Sequence, residues 1–332
     1  MDPVDLRSVG QTLGRDVLKQ VPDPAVTVLM AVYDAPLKML DRAIDSILNQ
    51  TFTDFEFLIV DDGSNPGVGS GLSQRAQRDA RIRIVTEPHR GLTASLNRGL
   101  ALARGAWIAR QDADDWSDRT RLEYQMEYFR AHSETTVLGT GAWTHQQDGR
   151  PLWPLHLPAT HADILGWLSR GNPFVHGSVM FPRAAAISAG GYREEFHCSQ
   201  DYDFLWRLAE SGSAANLAEP LYHYRYTSGS VSAGRAQEQS RAHRAIQQLA
   251  AARRNGQQED PAAALAEAGN APLLAPLLKQ ADHLMLAGDY RRAWGAYTNL
   301  LKSHPRNSLA WAKLARLVVF WSIPSLREAC FR

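Results

Sequence analysis

The segment Trp107-Ile108-Ala109-Arg110-Gln111-Asp112-Ala113-Asp114-Asp115-Trp116 starts as an apolar run and ends in acids. Trp107 to Ala109 has the character of a buried strand. Asp112, Asp114 and Asp115 follow where such a strand would stop. In an open α/β sheet, carboxylates at the carboxyl end of a strand face the ligand crevice. On extended backbone Asp112 and Asp114 point the same way, because side-chain direction repeats every two residues. Two like charges that close repel unless a positive species lies between them. A hard divalent cation on a diphosphate fits, since Mg²⁺ takes one or two carboxylates plus phosphate oxygens. The competing reading is a strand end followed by a helix capped by Asp118. An EF-hand loop is excluded: Trp116 stands at a ligand position and no glycine follows.

Upstream, Val26 to Tyr33 is a continuous apolar run, as expected of a strand buried on both faces. Asp34 to Pro36 breaks it. Leu37, Leu40, Ile44, Ile47 and Leu48 then recur at helical spacing. Phe55 to Val60 predicts a second strand, closed by Asp61-Asp62-Gly63-Ser64. A helix near Ser73 to Ala80 and a strand over Ile82 to Val85 follow. Gly91 to Arg104 predicts a helix with Leu92, Leu96, Leu100 and Ala103 on one face. Downstream, Arg119 to His132 reads as a helix and Val137 to Gly141 as a strand. This alternation argues for βαβ units and a parallel sheet.

Residues 145–172 carry prolines, histidines and tryptophans, the composition of an active-site surface. Phe174 to Phe181 predicts a strand, and Arg183 to Ala189 a short helix closed by Gly190-Gly191. Asp201 to Ser211 predicts a helix with Phe204, Leu205 and Leu208 inward. Late strands are expected over Ala214 to Leu217 and Leu221 to Tyr226. Helical spacing runs on to Arg254, a polar linker covers Asn255 to Pro261, and only helices follow from about Ala262. The divisions are a polar leader over 1–24 with a helix over Leu6 to Leu18, an α/β domain over 25–234, a helix and linker over 235–261, and a helical region over 262–332.

The chain has 332 residues, 44% hydrophobic and 21% charged, which allows a large core and about two domains. A net charge of +1 excludes nothing by itself but gives no footing for nucleic acid as a partner. Cys198 and Cys330 lie far apart, without metal or disulfide spacing, which suits a reducing compartment. Met1 to Val21 lacks an apolar signal core, and no stretch approaches the roughly 20 apolar residues of a membrane span. The expectation is a cytoplasmic protein, with a peripheral place at the inner face of the membrane as the alternative.

Three further sites carry chemistry. Asp61-Asp62-Gly63-Ser64 can accept hydrogen bonds from a base or ribose, or can simply be turn chemistry. Tyr33 can stack on a nucleobase or pack as a strand-end ring. Asp201 can act as a base at the start of a helix, or can stabilise the helix dipole, a role Asp203 fills equally well. Neither a P-loop, a G-x-G-x-x-G nor a G-x-S-x-G occurs, and the histidines show no zinc spacing.

Taken in order, these blocks resemble the family 2 glycosyltransferases of the GT-A fold. The resemblance runs through Ala31-Val32-Tyr33-Asp34, Ser46 to Phe52, Phe55 to Ser64, Gly91 to Gly99, Gln111 to Asp115, His176 to Phe181, Gly190-Gly191-Tyr192 and Gln200 to Leu208. It covers about Ala25 to Ser232. It implies a GT-A (Rossmann-like), mostly parallel sheet flanked by helices. It also implies a nucleotide-sugar donor, UDP-linked, and a saccharide or lipid-linked saccharide acceptor in bacterial polysaccharide or glycoconjugate synthesis. By resemblance, Tyr33, Asp61 and Asp62 hold the nucleoside, Asp112 the ribose or a metal-bound water, and Asp114 with Asp112 the Mn²⁺ or Mg²⁺. Asp201 is the catalytic base of a single displacement with inversion. Gln200 departs from the family's acid at that position. Tyr224 to Ser232 resembles a loop that closes on the diphosphate. Thr227 stands where many members have histidine, so closure leans on Arg225, with His223 as a candidate metal ligand.

Gly288-Asp289-Tyr290, Ala293, Tyr297, Pro305, Trp311, Leu314 and Ala315 have the spacing of one and a half tetratricopeptide repeats, from about Leu274 to Leu317. The alternative is a plain helical hairpin. Too few repeats are present for an independent solenoid, so the arm is expected to pack on the enzyme or another protomer, or to offer a surface to a protein partner. Leu317 to Trp321, flanked by Arg316 and Arg327, suits a membrane surface or a core. The rival functional class is a non-catalytic interaction protein that uses the helical arm as a scaffold. A sugar-phosphate nucleotidyltransferase lacks its glycine- and lysine-rich loop after Tyr33.

Overall fold

The computed structural model describes residues 23–228, 235–269 and 274–322. The expected leader helix, the end of the Tyr224 to Ser232 stretch, Arg327 and Cys330 lie outside them. So do the side chains of Val319 to Trp321.

The first half is a run of βαβ units: β1 (Val26–Val32), α1 (Leu37–Leu48), β2 (Phe55–Asp61), α2 (Pro66–Arg78), β3 (Ile82–Thr86), α3 (Leu92–Leu102) and β4 (Trp107–Arg110). These strands lie parallel in the order β3-β2-β1-β4. The pleat explains why their sequences read as unbroken apolar runs. Leu29, Leu58, Val60 and Ile108 face one core with Leu96 and Leu100 of α3. Val26, Val28, Met30, Phe57 and Ile59 face the other with Leu40, Ile44 and Ile47 of α1.

α2 starts at Pro66, well before the expected Ser73, although Gly67, Gly69 and Gly71 fall inside it. Asn65 supplies the reason: its side-chain oxygen accepts the N–H groups of Gly67 and Val68 at 3.0 and 3.3 Å. The glycines cost roughly 0.5–1 kcal/mol each. The cap contributes about 1 kcal/mol, and burial of Val68 and Leu72 about 2 kcal/mol each.

The second half comprises β5 (Trp116–Ser117), α4 (Arg121–Ala131), β6 (Thr135–His145), β7 (Pro151–Leu155), α5 (His161–Leu168), a 3₁₀ turn (His176–Ser178), β8 (Met180–Pro182), α6 (Arg183–Ser188), α7 (Gln200–Ser211) and β9 (Ser213–Arg225). The sheet continues β4-β8-β6-β9-β5, with β7 on β6. β8 runs antiparallel to β4 and β6, β9 parallel to β6, and β5 antiparallel to β9. The result is a mixed α/β sheet whose parallel core is extended by strands of both senses.

Several expectations are corrected here. Of the strand expected over Phe174 to Phe181, only β8 forms, because the chain first makes the turn at His176. The late strands are a single strand, β9, which shifts register against β6 between Thr140 and Ala142. Leu92 sits in the first turn of α3 and is exposed. Asp118 does not cap α4; its carboxylate accepts the N–H and hydroxyl of Thr120, at 3.0 and 2.8 Å. Residues 145–172 hold β7 and α5.

The remainder is helical: α8 (Ala236–Arg254), α9 (Pro261–Glu267), α10 (Leu274–Ala287), α11 (Tyr290–Ser303) and α12 (Ser308–Ser322). α8 joins the core of α7 through Ala242, Ala245, Ile246 and Leu249. α10 to α12 share a core of their own, built on Leu284, Tyr297, Leu300 and Leu314, and Leu152 of β7 enters it. The arm therefore packs on the α/β domain. Among the described residues no helix is long and apolar enough to cross a membrane.

Candidate functional site

The strand order reverses direction at β1, which has β2 on one side and β4 on the other. Open α/β sheets bind ligands outside the carboxyl ends of the strands at such a point. Tyr33 follows β1, and Asp112 to Asp115 follow β4.

Arg110, at the end of β4, is wholly buried. Its Nη1 donates to the carbonyls of Leu29 and Gln111 at 2.8 and 2.9 Å. Its Nη2 donates to the Asp112 carboxylate. A buried guanidinium bound to main chain is a rigid mount, so Asp112 is held in one orientation. Asp114 is pushed up to about 6, by burial first and then by the charge of Asp112, while Arg225 and the nearby Thr227 hydroxyl pull the other way. Burial and the charges of Asp114 and Asp112 also raise Asp115 well above the carboxylate range. Asp115 accepts the N–H of Arg225 at 2.7 Å.

Crowded carboxylates of this kind suit a cation that takes two of them and completes its shell with diphosphate oxygens. Among the described residues no group of three or more histidine, cysteine or acidic side chains forms a cage for a metal. A site for an ion carried in with its ligand does not need one.

Asp201 lies in the first turn of α7, and its carboxylate accepts the Asn172 amide at 2.8 Å. Ser199, just before α7, has φ of 61°, a left-handed backbone uncommon outside glycine. Asp203 is buried and taken up by Arg193 and Arg207, at 3.1 and 2.7 Å. Of the two acids, Asp203 is taken up by guanidinium groups and Asp201 by an amide. His176 bonds Tyr192, Nε2 to hydroxyl, at 2.9 Å. Burial, then the charge of Arg110, lowers His176 to about 4, and Asp201 and Asp112 both oppose this. Carboxylates from β4 and α7 thus act on one imidazole.

Gly177 makes this approach possible. A Cβ there would lie 1.9 Å from the Tyr222 hydroxyl and 2.8 Å from Asp112 Oδ2.

Tyr33 is 51% exposed and stacks on His89, with ring centroids 4.0 Å apart. Asp61 is buried at the end of β2, where it accepts the Ser64 N–H at 3.0 Å. Asp62, the other acid expected at the nucleoside, lies beside it. Its carboxylate accepts the N–H groups of Arg90 and Gly91 at 2.8 and 2.9 Å and pairs with His89 at 2.9 Å. It holds the entry to α3 and, through His89, the ring under Tyr33.

Arg225 lies over the Trp116 ring at 5.1 Å, and Arg42 over the same ring at 3.3 Å. His223 stacks on Trp116 at 4.9 Å and bonds His145 at 3.0 Å. Burial drives both histidines down to about 4. His223, the candidate metal ligand, is part of this aromatic box. Arg110 and Asn172 have no role legible in the sequence, because a buried arginine and a loop asparagine carry no local motif, and Tyr192 and Trp116 are legible only as parts of their blocks. A cavity of about 540 Å³ lined by His161, Trp206, Glu210 and Arg253 contains none of these residues.

Comparison with known proteins follows this geometry. Residues 27–189 match the family model described as Glycosyl transferase family 2. The O-antigen biosynthesis glycosyltransferase WbnJ of Escherichia coli is 34% identical over 206 residues, which span 60% of this chain and 79% of that protein. Mannosyltransferase PcManGT from Pyrobaculum calidifontis, solved with GDP-Man and Mn²⁺, superposes with a TM-score of 0.54 at 19% identity, over 93% of this chain and 84% of that one. S. aureus TarS 1–349, solved with UDP-GlcNAc, gives 0.58 at 14% identity, over 83% and 80%. At these identities the two structures speak for the fold alone.

Proposed function

Because the chain belongs to glycosyl transferase family 2, we propose that it is an inverting, metal-assisted transferase that moves a sugar from a UDP-sugar to a hydroxyl of a saccharide or lipid-linked saccharide. The observation that carries the reading is that Asp112, held by the buried Arg110 at the carboxyl end of β4, lies against Gly177 in the turn, while Asp201 at the start of α7 is oriented by Asn172. A role in bacterial surface glycan assembly draws on the likeness to WbnJ.

In this reading Tyr33 and Asp61 receive the nucleoside, and Asp62 supports them from behind. Asp114 and Asp112 hold the Mn²⁺ or Mg²⁺, which supplies Lewis-acid charge for the leaving diphosphate. Asp201, fixed by Asn172, takes the proton of the acceptor hydroxyl. The acceptor oxygen forms its bond to the anomeric carbon as the bond from that carbon to the diphosphate oxygen breaks, and the electron pair leaves with the diphosphate. Attack from the opposite face inverts the configuration. Arg225 adds positive charge at the diphosphate end.

Asp201→Asn keeps the shape and the Asn172 contact but removes the base. Transfer should fall by at least about 100-fold, the scale of general-base catalysis, while calorimetric binding of UDP with Mn²⁺ stays unchanged. Near-normal turnover in this variant refutes the assignment. Chelation with EDTA should stop transfer and Mn²⁺ should restore it; full activity in rigorously metal-free enzyme removes Asp114 from its role. The arm, from the spacing of Gly288, Ala293 and Tyr297, is proposed to be tetratricopeptide-like.

A further inference from the structure

The segment Tyr224 to Ser228 connects three parts of the molecule. On the acid side, the Arg225 N–H donates to Asp115 at 2.7 Å, and the Thr227 hydroxyl is within hydrogen-bonding reach of the Asp114 carboxylate. On the sheet side, the Tyr226 N–H donates to the His145 carbonyl at 2.9 Å, and the Ser228 N–H donates to the Gln147 side chain at 3.3 Å. On the arm side, His283 of α10 bonds the Thr227 carbonyl through Nε2 at 2.9 Å, and Arg292 of α11 donates to the Ser228 carbonyl at 2.8 Å. His283 also meets the rings of Tyr224 and Tyr226 edge-on, at 6.3 and 4.9 Å. It is 2% exposed.

We propose that the helical arm is part of the donor site: His283 is a positioning residue that fixes Thr227, and through it the environment of Asp114, for the nucleotide diphosphate and its cation. Thr227 carries its carbonyl on the arm and its hydroxyl at the acid, so one residue spans both. Beyond Arg225 the regular pairing of β9 with β6 ends, and only the Tyr226 N–H to the His145 carbonyl and the Ser228 N–H to Gln147 continue it on the sheet side. The arm takes the carbonyls of Thr227 and Ser228. Leu152, next to Trp153 on β7, anchors the arm from the other side through the shared apolar core, so α10 cannot shift without disturbing β7. The polar contacts of His283 and Arg292 lie at separations of 56 and 64 residues.

This inference rests on the transferase reading of the acids, so its test needs a readout that does not depend on turnover. His283→Ala should raise amide hydrogen exchange over residues 224–228 while strands β1 and β2 stay protected. It should also weaken binding of UDP with Mn²⁺ about tenfold, the scale of one desolvated hydrogen bond. His283→Gln, which keeps an amide donor where Nε2 stood, should recover most of both effects. Thr227→Val should weaken binding similarly, and the double variant His283→Ala/Thr227→Val should be no worse than the single ones. In turnover assays the loss should appear in the KM for the donor with kcat little changed. If His283→Ala lowers the melting temperature but leaves exchange at 224–228 and UDP binding at wild-type values, the proposal is wrong. If the wild-type protein binds no nucleoside diphosphate, the transferase reading fails, while the exchange result still decides whether the arm orders this segment.

Discussion

At the scale of single residues, the site depends on what neighbouring groups leave available. Asp203, Asp62 and Asp115 bear the same carboxylate as Asp201 and Asp114, and each is engaged by guanidinium or main-chain donors. Burying an ionised carboxylate without such partners is costly, so these three are held in place by the fold. Gly177 sets the limit of approach between the 3₁₀ turn, Tyr222 and Asp112. Gly177→Ala should destabilise the fold by roughly 1–3 kcal/mol, the usual cost of overpacking, and should lower donor binding by displacing Asp112. Thermal unfolding with and without UDP and Mn²⁺ checks both. An unshifted melting temperature would mean that Tyr222 relaxes freely. The stretch 111–115 was legible in the sequence as an acidic strand end. Which of its acids stays accessible was not, because Arg110 and Arg225 act on it from main-chain mounts that leave no pattern.

At the scale of elements, the legible parts were those with local periodicity. β1, β2, α1 and α7 fell within a residue or two of their expected places, since each has a continuous apolar run or a 3.6-residue stripe. α2 was misplaced because its glycines mask a helix that an asparagine cap initiates. β8 and β5 are too short to carry a pattern, and their existence depends on neighbours already in the sheet. β9 crosses Pro220 as one strand because its register can shift against β6.

At the scale of the whole molecule, buried histidines give the fold a pH signature. Burial lowers His243, against the Tyr202 ring at 4.8 Å, from 6.5 to about 4, and the charge of Lys279 adds to this. His283, His145 and His223 are lowered to about 4 as well, each by burial first. The unfolded chain takes up these protons near 6.5, and the folded chain only near 4. The contribution is therefore complete above about pH 6.5 and is lost as pH falls toward about 4. Urea midpoints should drop steadily across that window. His243→Gln should flatten the slope by up to about 1.4 kcal/mol per pH unit, one proton's worth. A midpoint independent of pH from 7 to 5 would show that these rings are solvated. The same scale holds the arm: α10 to α12 share a core with β7, and deletion of the arm would expose Leu152 and release residues 224–228 together.

Sequence alone determined the alternation of strands and helices, the acidic end of β4 and the order of blocks that marks the family. These follow from short-range periodicity and from residues a few positions apart. Tertiary structure decided which carboxylates meet, which are taken up, and that the last helices close on the segment beside Asp114. Those outcomes depend on contacts such as Arg225 to Asp115, 110 residues apart. Chain neighbours carry no trace of such contacts, and only packing brings them into being.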